Sequence, residues 1–248
     1  MNATVLVAAN PDSLGTRLDD PYMHSPVVFC ADVGSVKKMR FGWARRRAPS
    51  GDPLFGESIE DLVRAIVADL CSDELVALGF ECPLFVPVRE SPYKLAEARR
   101  GEGNRPWSAG AGCAVLATGL TQVLWILRDL RQRLGRKVST YVRWDRVPEK
   151  GPALFLWEAF VSGRAKTVGG GNLHAHDALL AVDAFLQALP GLNRVNAIHE
   201  DEVHSLVGAA LLRSGWTDDV RILAEPCVVV RAMPPGETLS PAGDLVES

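Results

Sequence analysis

Three short apolar runs in this chain stop at a carboxylate, and that recurrence limits the possible folds more than any other feature. Pro26-Val-Val-Phe-Cys-Ala-Asp32, Leu75-Val-Ala-Leu-Gly-Phe-Glu81 and Ala153-Leu-Phe-Leu-Trp-Glu158 are short and mainly apolar, and the first two run into Gly-Ser and Pro. That pattern predicts strands buried on both faces. Such strands need helices on each side of their sheet, and helical periodicity is present between them. Ser58 and Asp61 open a near capping box ahead of Ile59, Leu62, Val63, Ile66, Val67 and Leu70, spaced for one buried face. Further helices are predicted from Cys113 to Gly135, from His174 to Leu189 before Pro190, and from Asp201 to Arg213. Met39 to Ala44 reads as a hairpin partner of the first strand, with Arg45-Arg46-Arg47 as a basic turn. Val195 to Ile198 reads as a short strand, and Val138 to Trp144 and Cys227 to Val230 are weaker strand candidates. Strands alternating with helices give an α/β fold with a central mixed β-sheet flanked by α-helices.

Composition sets the outer bounds. At 248 residues, 47% hydrophobic and 23% charged with net charge −3, the chain has an ordinary globular content and no global field to draw it onto a polyanion. One domain over residues 1–248 is expected, with an N-terminal arm at 1–25 and a long loop at 84–112. No apolar run is expected to reach the ~18 residues that cross a bilayer, and the start lacks a signal-like pattern. The expected location is therefore cytoplasmic, with no membrane partner; the oligomeric state stays open. Cys30, Cys71, Cys82, Cys113 and Cys227 are odd in number and form no C-x-x-C pair, so they read as small buried hydrophobes, not disulfides or zinc ligands.

The carboxylates carry the chemistry. Ligands of open α/β sheets gather outside strand ends, so Asp32, Glu81 and Glu158 can converge there although far apart in sequence, joined by Asp201 at the start of the last helix. A single strand-end acid more often simply faces water. Several brought together repel, and a hard divalent cation, Mg²⁺ or Mn²⁺, is the simplest relief. Two such ions ~4 Å apart would stabilise the attacking and leaving oxygens of a phosphoryl displacement. After Glu81 the loop carries Lys94, Arg99, Arg100, Arg105 and Trp107, cations interleaved with an aromatic ring that suit a nucleic-acid strand, although scattered solvated charges are the commoner outcome. His174-Ala-His176-Asp177 follows three glycines. Its histidines diverge on a helix and do not read as a zinc pair.

Ala31-Asp32-Val33-Gly34-Ser35 with Phe41-Gly42-Trp43-Ala44 resembles the first hairpin of the RNase H-like superfamily, an acid on strand one followed by a small-residue turn and a returning strand. Phe80-Glu81-Cys82-Pro83-Leu84 is similar to its second acid motif. Glu97-Ala98-Arg99-Arg100 resembles the uncharacterised family of predicted RNase H-like nucleases, domain-of-unknown-function family 429. Asp201-Glu-Val-His204-Ser-Leu-Val-Gly-Ala resembles the last-helix motif of Holliday-junction resolvases, an acid, a second acid three residues on, then Ala-Leu, with His204 where the second acid is usual. The resemblance spans roughly residues 26 to 215 and implies a two-metal-ion nuclease. In it Asp32 and Glu81 bridge the metals, Asp201 and His204 complete the second site, and Glu158 is an outer ligand or an acid that supports the ligands from behind. Two alternatives remain open: a non-catalytic binding protein that keeps the fold, whose carboxylates would be separated or paired with arginines, and an actin-like or sugar-kinase-fold phosphotransferase suggested by Asp32-Val-Gly-Ser35. Nothing marks a serine or cysteine hydrolase, since no Gly-x-Ser-x-Gly elbow is present.

Overall fold

The computed structural model describes residues 25–48, 51–103, 106–161 and 173–232. The expected arm (all but Ser25), Arg105 and the glycine run at 169–171 lie outside the described residues. The strands are β1 (Val27–Asp32), β2 (Gly42–Arg47), β3 (Leu54–Gly56), β4 (Leu75–Phe80), β5 (Phe85–Pro87), β6 (Ser139–Tyr141), β7 (Ala153–Val161), β8 (Val203–Ser205) and β9 (Val229–Ala232), and the helices are α1 (Ile59–Cys71), α2 (Gly110–Leu134), α3 (Leu173–Ala188) and α4 (Leu206–Arg213). The main sheet runs β3-β2-β1-β4-β7-β6, with β9 beside the C-terminal part of β7. Strands β1, β4, β7, β6 and β9 run parallel, whereas β2 and β3 return antiparallel. The chain is thus an α/β protein with a mixed central sheet flanked by helices, as the alternation of patterns predicts.

The pleat divides the core in two. Val27, Phe29 and Ala31 pack with α1, α2 and α4, while Val28 and Cys30 pack on the other face with α3 and the Trp144–Phe155–Phe185 cluster. Both faces of β1 are buried throughout, which is why its sequence reads as an unbroken apolar run. Helix α1 forms as its pattern predicts: the Ser58 hydroxyl accepts from the Asp61 amide at 3.1 Å, and Ile59, Leu62, Val63, Ile66 and Leu70 are buried.

Several expectations are corrected. Arg45-Arg46-Arg47 is the second half of β2, not a turn, and its cations are consumed by carboxylates: Arg45 and Arg47 pair at 2.7 Å with Asp69 and Glu74, and Arg46 pairs with Asp183. Val195 to Ile198 is not a strand. The expected helix from Asp201 begins only at Leu206, because Val203–Ser205 pairs with β5 in a small antiparallel sheet. Helix α2 overturns the expectation that no stretch is long and apolar enough to cross a membrane. Its 25 residues include such a window, only 28% of it buried, because no charge occurs from Gly110 to Leu127. Its buried face, Val123, Ile126, Leu127 and Leu130, packs in the core that α1 and α4 share.

Candidate metal centre

Asp32, the last residue of β1, directs its side chain to the α3 face, following Val28 and Cys30 in the alternation. Parallel pairing sets Ala31 opposite Phe80, and the Glu81 amide donates to the Ala31 carbonyl at 2.9 Å. Glu81 therefore comes next to Asp32 and follows Ala77 and Gly79 onto the same face. Helix α3 covers this face with its first turn. His174 Nδ1 lies 2.5 Å from an Asp32 carboxylate oxygen, and Asp177, one turn further along the same side of the helix, is buried. One ligand atom from each of Asp32, Glu81 and Asp177 lies within 4.8 Å of the others. These acids form a group that could hold a metal ion.

The close approach of α3 depends on Gly42, the residue of β2 opposite Asp32. A Cβ there would lie 2.4 Å from the Ala175 nitrogen and 2.5 Å from the His174 carbonyl carbon. Only a residue without a side chain lets the helix come down far enough for His174 to touch Asp32.

The other expected site residues are placed elsewhere. Glu158 is in register with Phe80, not Glu81, so it shares the opposite face. There it accepts two hydrogen bonds from Arg99, at 2.9 and 2.6 Å, and one from the Leu84 amide at 2.9 Å. Arg99 is buried and also holds Glu102 at 2.8 Å, so it is not a substrate-facing cation. Burial alone would lower its guanidinium, but Glu158 and then Glu102 outweigh that and hold it above its ordinary value. Asp201 is exposed and paired with Arg100 at 2.8 Å, and the Arg100 guanidinium also donates to the His199 carbonyl at 2.7 Å. His204 lies on β8 facing solvent between buried Val203 and Ser205. The side chains of Asp201 and His204 cannot share a helical face, because the segment is not helical. Lys94 is exposed in a short turn of 3₁₀-helix. Trp107 lines a cleft of about 460 Å³ beside Glu81.

Asp177 and His174 are the site residues that sequence reasoning passed over as ligands. The signal was present: the spacing sought at Asp201 and His204 occurs at His174 and Asp177, and Ala178-Leu179 follows directly. His176 diverges as the helical geometry requires and stacks instead on Phe55, with ring centroids 6.0 Å apart. Burial pushes the Cys30 thiol well above its ordinary value, and the neighbouring Glu81 and Asp32 carboxylates push it the same way.

Compared with protein-family models, with curated proteins and with solved structures, the chain has no match. The functional reading therefore rests on the site itself.

Proposed function

We propose that this chain is a divalent-metal-dependent nuclease with an RNase H-like fold. The observation that carries the reading is the convergence of Asp32, Glu81 and Asp177 to within 4.8 Å. An acid ending β1, an antiparallel return through β2 and a second acid at the end of the parallel β4 also fit the resemblance noted from the sequence. Three carboxylates and an imidazole are a donor set for a hard or borderline cation, and Mg²⁺ or Mn²⁺ fits it. Asp32, Glu81 and Asp177 would hold the ion, with His174 as a further donor or as the group that orients Asp32. Bound there, the ion supplies positive charge against the charge that develops on a phosphodiester as water attacks it. The protein contributes rigidity: Asp32 is fixed by His174 and by β2, and Asp177 by the packing of α3 on β1 and β2. Glu81 borders the cleft by which a substrate would enter.

The test is Mn²⁺-dependent cleavage of labelled single-stranded, duplex and branched DNA. Asp32→Asn and Asp177→Asn should each lower the rate by more than the ~10–100-fold typical of losing an outer-shell partner. Cleavage that survives both substitutions would rule the reading out. A second reading, a binding protein that has kept the fold without catalysis, is favoured by the arginine pairing of Glu158 and Asp201. It predicts metal binding with no cleavage of any of the substrates.

A further inference from the structure

The cleft of about 460 Å³ next to the carboxylates is in the size range of a small-ligand site, and its chemistry is specific. Its walls are mainly apolar and include the rings of Trp107 and Phe160 together with Pro83 and Val115. Of its charged lining residues, Glu102 and Glu158 both pair with Arg99. The shape is preformed. The Trp107 indole N–H donates to the Glu97 carbonyl at 3.1 Å and its amide to Glu102 at 3.2 Å, so the ring is held in place without an occupant.

Two further observations define the occupant. Glu81 is both a lining residue of the cleft and one of the three clustered carboxylates, so the cleft and the metal centre share a residue. Arg231 pairs in register with Phe160 and lies over its ring at 4.5 Å. It donates to the Gly101 carbonyl and has no carboxylate partner among the described residues. A neutral, flat ring in the cleft, a phosphodiester at the carboxylate centre and a neighbouring backbone phosphate near Arg231 are the parts of one nucleotide strand.

We infer that the cleft seats an unpaired nucleobase, so that the substrate is single-stranded or locally opened nucleic acid. This inference rests on the nuclease reading above and narrows its substrate class. A base stacked in a duplex cannot enter the cleft, whereas an unstacked base can reach the aromatic side chains that line it.

The experiment is fluorescence anisotropy in EDTA with the full chain and three labelled probes: ~12-nucleotide oligo-dT, ~12-nucleotide oligo-rU and a duplex of the same length. At least one single strand should bind more tightly than the duplex. Trp107→Ala and Phe160→Ala should each weaken that binding about tenfold or more, Trp107→Phe should restore most of it, and duplex affinity should not change. Thermal unfolding of each variant separates a lost contact from a lost fold. A duplex bound as tightly as both single strands, no binding of any probe, or a stably folded Trp107→Ala variant that binds within about twofold of wild type would each overturn the inference. The two claims fail separately. Mn²⁺-dependent cleavage with affinity independent of Trp107 removes the cleft and leaves the nuclease, whereas absence of cleavage removes the nuclease reading whatever the cleft binds.

Discussion

Asp32 and Glu81 stand together because Ala31 pairs with Phe80, whereas Glu158 pairs with Phe80 itself and is turned to the other face. One residue of register therefore separates a candidate ligand from an acid fixed by Arg99. The same local environment sets cysteine reactivity. Cys30, Cys82 and Cys227 are buried, and burial pushes each thiol well above its ordinary value; Cys71 and Cys113 are exposed. The attacking species is the thiolate, so a raised value keeps the buried three protonated and unreactive. An aromatic disulfide reagent near pH 8 should label Cys71 and Cys113 in the native chain and every cysteine after unfolding. Rapid native labelling of Cys30 would contradict the packing of β1. The exposure of Cys71 and Cys113 corrects the expectation that all five cysteines are buried: both lie on helices, on faces the core does not cover.

At the scale of elements, α3 decides the site, and Gly42 decides α3. Gly42→Ala forces a Cβ against the backbone of His174 and Ala175. Overpacking of this kind costs about 1–3 kcal/mol, and here its relief must lift the first turn of α3 from Asp32. Thermal unfolding should show the loss, and Mn²⁺ titration should show weakened binding. Unchanged Mn²⁺ affinity in a folded Gly42→Ala protein would separate α3 from the metal centre. The elements legible in the sequence were those whose pattern is settled locally: α1 from its cap and buried face, and β1, β4 and β7 from runs apolar on both faces. Less legible were segments whose partner is distant. Val203–Ser205 has the apolar spacing of a helix start and becomes a strand because β5 offers it a ladder. Phe85–Pro87, in turn, lies within what reads as loop. The acid pair at Asp32 and Glu81 was accessible because strand ends of one parallel sheet converge. Asp177 was not, because its membership depends on how close α3 comes, and periodicity does not report that distance.

For the whole molecule, the loop after β4 is tied to the sheet by a buried charge network, Glu102–Arg99–Glu158, with the Arg99 guanidinium also 4.8 Å from the Phe85 ring centroid. Arg99→Met leaves two carboxylates buried without their cation, which costs about 3–5 kcal/mol. Urea unfolding of Arg99→Met at neutral pH checks it, and a loss below about 1 kcal/mol would contradict the role of the buried pairs. Arg99, Glu102 and Glu158 also line the cleft, so the stability of the loop and the shape of the cleft are linked. The metal centre itself is tested most directly by a crystal soaked with Mn²⁺ and measured for anomalous scattering. The account predicts a peak bounded by the carboxylates of Asp32, Glu81 and Asp177. A peak bound elsewhere, or well-ordered carboxylates with no peak between them, would contradict it.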